Sequence, residues 1–462
     1  MTPEDPGLRQ VRDDIDATLK EIDAVVARQR EVSRDTAEAA AVLATLKASY
    51  TWKSLEAYRA ARLYLRAKTM RWRGLRARAV SATRNREIPR AVRELPMGVN
   101  IAGYLSTESG MGEAARATIR SMEAAGVPMV LTNVGSRLRT QDLSYSNFTD
   151  DNPHPFNVVH LNGDNMSGFA AARGRAYFRD RYTIGYWFWE LSKWRDDWLD
   201  GFNYVDEVWV ASEFTRACLA EVSPVPIVTM PLPFVLPEPP PIGRAHFGLR
   251  EDATVFLLTF DVSSQTERKN PLGAIRAFRR AALPRGSATL VLKYTNAEYD
   301  RDAVRRFHEE AEGLDVSMFD GYMSRPELTA LMNASDCYLS LHRGEGFGMT
   351  MGEAMLLGKP VIATRYSGNV DFMTPDNSYL VDYRIVPLTK DYGPYMRGFV
   401  WADPDIPQAA EFIREVALNR TAAIEKGQRA RRDMEASRLP QHTGAAMRAR
   451  LEAIRGANGS AR

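Results

Sequence analysis

HRGEGFGMTMGEAMLLGKPVIATRYSGN, from His342 to Asn369, sets two glutamates, Glu345 and Glu353, around a glycine turn with seven residues between them. The apolar run Asp336 to Leu341 just before it follows a polar helical pattern and predicts a buried parallel strand. Gly344, Gly346 and Gly348 supply a tight turn and let a ligand approach the backbone closely. Met349 to Leu357 consists of good helix formers and meets its stop signals at Gly358 and Pro360. The glycines therefore fall between the carboxyl end of a strand and the amino end of a helix, where free N–H groups and the helix dipole favour a phosphate. Both carboxylates are expected to face one crevice, and a carboxylate accepts hydrogen bonds from paired hydroxyls such as those of a hexose or ribose.

These residues, with the GKPVIAT continuation, resemble the motif of glycosyltransferase family 4, retaining enzymes of the GT-B fold. The resemblance implies that Glu345 holds hydroxyls of the transferred sugar and Glu353 the nucleotide ribose. It also implies that the turn residues Gly346, Phe347, Gly348, Met349 and Thr350 lie against the donor, the last three beside its diphosphate. Taken alone, two glutamates at this spacing would equally serve to cap and solubilise a helix.

Outward from this stretch, strand and helix patterns alternate in two sets, the rhythm of parallel sheets wrapped by helices. One set predicts strands at 99–104, 129–132, 156–161, 183–188 and 207–211, with a glycine turn at Ser109 to Glu113 before a helix over 114–125. The other predicts strands at 254–260, 289–294, 316–320, 336–341 and 360–364. Between them Pro231, Pro233, Pro237, Pro239, Pro240 and Pro241 crowd a short segment that reads as a stiff linker. The expected organisation is a helical extension over 1–95, an acceptor-side Rossmann-like domain over 96–235, a nucleotide-sugar-binding Rossmann-like domain over 236–435, and a C-terminal helix and tail over 436–462. The fold class is thus α/β, two parallel-sheet domains facing a cleft as in GT-B proteins, with the resemblance covering roughly 97–435.

Glu267-Arg268-Lys269-Asn270-Pro271 adds cations beside a helix start, suited to neutralising a leaving diphosphate. The resembled family uses an arginine and a lysine about five residues apart, and Lys269 matches the lysine. The arginine position falls near Ser264, so the sequence departs there and Arg268 is the substitute, with a surface helix cap as the alternative. Lys293, ending a predicted strand, is a further donor-side candidate that could equally be solvated. Gly110 and Gly112 resemble the glycine loop that packs on donor phosphates, a turn common to Rossmann-like domains in general. Many members place a histidine on the strand that reads here Tyr182 to Glu190, and none occurs in it. His160, Trp189 and Glu190 are the acceptor-side candidates, although a lone strand histidine is more often structural and the cluster Trp187, Trp189, Trp194 and Trp198 suits core packing better than sugar stacking. No compact His or Asp cluster suggests a metal, and the resemblance implies that neither metal nor other cofactor is needed.

With 462 residues the chain has length for two or three domains. Two cysteines, Cys218 and Cys337, in apolar settings argue against a disulfide framework and for a reducing compartment. No eighteen-residue apolar run or signal-peptide pattern appears, so a cytoplasmic location is expected. Lys53 to Arg93 holds thirteen Lys and Arg against two Glu, while the whole chain carries only +3, so a mildly acidic body bears a basic collar. Its arginines interleave with Trp52, Tyr58, Tyr64, Leu65 and Trp72, which suits a peripheral helix on an anionic membrane, with packing or oligomerisation as the bland alternative and nucleic acid as the least favoured. Val11, Ile15, Ile22, Val25, Val32, Leu43 and Leu46 approximate a heptad seam. The reading is a hexosyltransferase taking a mannose-like or similar sugar from a nucleoside diphosphate to a glycan or lipid-linked acceptor, in surface polysaccharide synthesis. Alternatives are a catalytically lapsed scaffold of the same fold, or a phosphorylase or epimerase sharing it.

Overall fold

The structure is a computed structural model that describes residues 88–135, 142 and 144–457. The heptad seam and all of the basic collar up to residue 87 lie outside the described residues. The strands β1 (Val99–Gly103), β2 (Met129–Asn133), β3 (Phe156–His160), β4 (Tyr182–Trp187), β5 (Glu207–Val210) and β6 (Ile227–Thr229) form one sheet in the order β2-β1-β3-β4-β5-β6. Every pairing in it is parallel. β1, β3 and β5 are buried along their whole length, because both faces are covered, and that is why they read as continuous apolar runs. Alternate residues serve opposite faces: Ile101, Val158 and Tyr186 join one core cluster with Ile119 and Met122 of the helix Gly110–Ala124. Ala102, Val159 and Trp187 join the other, with Met166 and Phe169 of the helix Gly163–Phe178.

A second parallel sheet contains β7 (Thr254–Asp261), β8 (Ala288–Thr295), β9 (Val316–Asp320), β10 (Cys337–Ser340), β11 (Val361–Thr364) and β12 (Tyr379–Val381), in the order β12-β11-β10-β7-β8-β9. Beyond β12, an antiparallel pair, β13 (Tyr383–Pro387) and β14 (Val400–Pro404), forms an arm. β6, β12 and this arm have no counterpart in the sequence-based strands. In each sheet the chain runs outward to one side of its starting strand and then restarts on the other, giving switch points between β1 and β3 and between β7 and β10. The crevice outside the carboxyl ends of such strands is where open α/β sheets bind ligands.

The proline-rich connection is packed, not free: Met230, Leu232 and Phe234 are buried, and the Phe234 ring stacks on Phe347 at 5.2 Å. Its N–H donates to the carbonyl of Arg438 at 2.8 Å. The last helix, Pro440–Gly456, returns to the first sheet's side, with Thr443 Oγ1 2.7 Å from Ser121 Oγ and Arg450 Nε donating to the buried Glu207 at 3.0 Å. The helix at 440–456 thus adds Leu451 and Ile454 to the core under β1 and β3. Among the described residues no helix is long and apolar enough to cross a membrane.

Candidate active site

The loops that follow β7 and β10 flank the switch point of the second sheet, and they carry Lys269 and Glu345. One asparagine pins them together. Asn270 sits in the left-handed region at φ 55°, caps the helix Pro271–Ala281 by accepting from the Gly273 N–H at 3.2 Å, and donates to the carbonyl of Leu341 at 2.8 Å. Asparagine tolerates this backbone and caps helices well, and the bond to Leu341 brings the preceding Lys269 to the end of β10.

There Lys269 Nζ donates to Glu345 Oε1 at 2.6 Å, and Arg268 Nη1 lies 3.2 Å from the same oxygen. Arg268 is buried and folds back, donating to the carbonyls of Gly344 at 2.8 Å and Ser264 at 3.2 Å. Burial alone would raise the Glu345 carboxyl, but Lys269 and Arg268 outweigh it and hold it down to about 2. The turn is buttressed by the SGN end of the motif: the Glu345 N–H donates to Ser367 Oγ at 2.8 Å, and Gly368 N–H donates to the Glu345 carbonyl at 2.9 Å. His342 Nε2 lies 3.1 Å from both the Tyr366 carbonyl and Asn369 Oδ1, and Asn369 uses its amide nitrogen on Thr364. Both neighbours accept, so Nε2 carries the proton and Nδ1 receives the Ser340 hydroxyl at 3.1 Å. Burial lowers the His342 pKa, which keeps it a neutral strut.

Gly348 turns the chain at φ 97°, a conformation that favours glycine, and opens the helix Met349–Leu356, whose start no side chain caps. Met349 and Thr350 are half-buried on that start. Phe347 contributes only backbone to the turn, since its ring is buried against Phe234 and Phe372. Glu353 is buried and paired with Arg325 of the helix Arg325–Ala334 at 2.8 Å. Glu345 and Glu353 therefore each meet a different cation. Arg325 also comes within 4.0 Å of Glu113 in the first turn of the helix that Gly110 and Gly112 open. Tyr322, after β9, donates to Glu108, after β1, at 2.7 Å.

The carboxyl ends of the two sheets thus face each other. Ser212 Oγ, after β5, donates to the Gly346 carbonyl at 2.7 Å, and a side chain on Gly344 would collide with the Glu190 carbonyl. Among the acceptor-side candidates, Glu190 alone offers a side chain here, accepting from Tyr395 Oη at 2.9 Å. The Trp189 indole is buried, donates to the Lys193 carbonyl at 2.8 Å and packs on Trp194, Trp198 and Tyr395, so it presents no face to a sugar. His160 is fully buried and stacked on Tyr186 at 4.6 Å; neither ring nitrogen has a hydrogen-bond partner, and burial pushes its pKa down to about 3. Lys293 is buried too, donating to the carbonyls of Gly321 at 2.6 Å and Tyr294 at 3.2 Å, which ties β8 to the end of β9.

Arg325 and Tyr395 escaped the sequence reading. Tyr395 lies 205 residues from Glu190, Arg325 meets Glu353 only through the packing of two different helices, and neither carries a motif of its own. The Asn270 clamp was within reach, because Asn before Pro at a helix start is a cap signal.

Residues 251–431 match the family described as Glycosyl transferases group 1. Among solved structures, sucrose-phosphate synthase from Thermosynechococcus elongatus is similar at a TM-score of 0.58 and 16% identity, over 78% of this chain and 99% of that one. HepE from Anabaena in complex with UDP-glucose is similar at 0.57 and 14%, over 78% and 100%. A glycosyltransferase from Rickettsia africae is similar at 0.55 and 14%, over 79% and 100%. At such identities the likeness speaks for the fold. No curated protein matches the sequence. The match to the glycosyl transferases group 1 family thus spans 251–431, the part of the chain that holds the second sheet and the Glu345 turn, and the two facing parallel sheets are those of a GT-B fold.

Proposed function

We propose that this protein is a retaining glycosyltransferase that moves a hexose from a nucleoside-diphosphate sugar to a hydroxyl of a glycan or lipid-linked glycan. The observation that carries the reading is the meeting of Lys269 and Arg268 on Glu345 at the switch point of the second sheet, beside an uncapped helix start. Glu345 is ionised at any working pH, so it accepts from sugar hydroxyls and does not donate. Lys269 and Arg268 supply the positive charge that a departing diphosphate needs, and the N–H groups at the start of the helix Met349–Leu356 add to it. The bond from the anomeric carbon to the phosphate oxygen breaks and its electron pair stays on the diphosphate. The acceptor oxygen bonds to the anomeric carbon from the same face, and its proton passes to the leaving phosphate. Positioning and charge stabilisation do most of this work, and no metal or other cofactor enters the scheme. UDP-glucose is bound by the HepE structure that this chain resembles; together with the family match over 251–431 this supports a nucleotide sugar as donor. A cytoplasmic enzyme meeting its acceptor at the membrane face, in surface polysaccharide synthesis, is the setting that goes with this reading.

Calorimetric titration with UDP, GDP and ADP, and with their common hexose conjugates, tests it. Selective binding of one nucleotide, lost in Lys269→Ala and weakened in Glu353→Gln, supports the transferase. A folded wild type that binds none of them leaves a scaffold of the same fold.

A further inference from the structure

The arm β13–β14 and the loop that joins its strands belong in sequence to the second domain, yet four of their apolar side chains are core of the first. Leu388, Tyr395, Phe399 and Trp401 are buried in one cluster with Trp187, Trp189 and Leu191. Its tip is held by Arg195, which donates to the Pro394 carbonyl at 2.7 Å, and its base by Arg343, 3.3 Å from Asp403 and 5.3 Å above the Trp401 ring. This places one polar side chain of the arm at the candidate active site. The Tyr395 hydroxyl donates to Glu190 at 2.9 Å, and its ring lies 5.9 Å from the Arg268 guanidinium carbon.

The geometry points to Tyr395 as a positioning residue of the donor site, holding the Glu190 carboxylate away from Arg268 so that the guanidinium stays available to the leaving diphosphate. This rests on the transferase reading given above. Three observations support it. Arg268 Nε is buried without a hydrogen-bond partner while both terminal nitrogens are bonded, so the guanidinium retains an unused donor in the site. Burial works against the Arg268 cation and the Glu345 and Glu190 carboxylates work for it, so Glu190 stands close enough to act on the guanidinium. Burial, opposed by Arg268 and assisted by Glu190, pushes the Tyr395 phenol well above its ordinary range, so it is an O–H donor throughout the working pH range. A carboxylate that loses such a donor seeks the nearest cation, and the planar guanidinium suits a bidentate pair with it. Glu190 would then occupy the charge that the diphosphate requires.

The test is a titration series with whichever of UDP, GDP and ADP the wild type binds, and with the matching nucleoside monophosphate. Tyr395→Phe keeps the ring in its cluster and removes only the hydroxyl. Losing one hydrogen bond to a charged group sets the scale, so diphosphate affinity should fall about tenfold while monophosphate affinity changes less than about twofold. Adding Glu190→Gln to Tyr395→Phe removes the competing charge and should restore diphosphate binding to within about threefold of wild type. A merely structural role would weaken both nucleotides alike and show no such rescue. Equal losses, no loss, or a double variant as weak as Tyr395→Phe overturns the inference and leaves the transferase reading standing. A folded wild type that binds no nucleotide overturns both. Should Tyr395→Phe fail to fold, Glu190→Gln alone decides: it should bind the diphosphate at least as tightly as wild type, and weaker binding refutes the proposal.

Discussion

Replacing Lys269 by methionine removes the ammonium 2.6 Å from Glu345 Oε1 and keeps a side chain of similar length. Glu345 is 8% exposed, so solvent does little to screen the pair. A carboxyl held at about 2 instead of its ordinary 4.5 corresponds to roughly 3 kcal/mol of stability at neutral pH, shared between Lys269 and Arg268. Because the folded pKa is the lower one, this stability is fully present above about pH 4.5 and is lost as pH falls toward 2. Lys269→Met should therefore destabilise the protein by about 2 kcal/mol at pH 7, with Arg268 retaining the rest. That is about 4–8 °C in the unfolding temperature of a domain of this size. The assay is thermal unfolding of wild type, Lys269→Met, Glu345→Gln and the double variant. A coupling of about 2 kcal/mol is expected, because methionine costs little once the carboxylate is gone. An equal cost for Lys269→Met with and without Glu345→Gln would refute the reasoning.

Arg325→Ala leaves Glu353 buried without its cation, and should cost about 3 kcal/mol in unfolding measurements; Arg325→Lys, which keeps the charge, should recover part of it. Gly444→Ala would push a methyl into the Ser121 carbonyl where the last helix meets the helix Gly110–Ala124; a loss of about 1–3 kcal/mol is expected, with earlier proteolysis after 438, and an unchanged unfolding curve would contradict the packing described. His160 has a folded pKa near 3 against an ordinary 6.5, so the unfolded chain binds the extra proton between those values and stability falls as pH drops through the window. That amounts to about 2 kcal/mol by pH 5, and a His160→Gln variant should show a correspondingly flatter dependence of unfolding free energy on pH.

Strands buried on both faces were legible because their side chains all want to leave water, whatever packs on them: β1, β3, β7 and β10 are near-continuous apolar runs. β13 was not, since its residues are mostly exposed and its partner β14 lies beyond a loop of twelve residues between Pro387 and Val400. The glycine turn was legible because backbone geometry demands glycine locally at Gly348. The partners of its carboxylates were harder to see. Lys269 follows from the order of the strands to a place opposite Glu345, whereas Arg325 sits on a different helix from Glu353 and meets it only through packing. His160 and Trp189 invite a functional reading because polar and aromatic groups near strand ends attract one. Burial shows both rings enclosed by protein.

By itself, then, the sequence determined the two parallel sheets, the strand–turn–helix at Glu345 and the cations before Pro271, because each depends on preferences acting over a few residues. Only the tertiary structure decided that the last helix returns to the first sheet, that the β13–β14 arm enters the first domain's core, and that Tyr395, Glu190, Arg268 and Glu345 come together. Such meetings depend on how burial and charge are satisfied across the whole chain, between residues hundreds of positions apart.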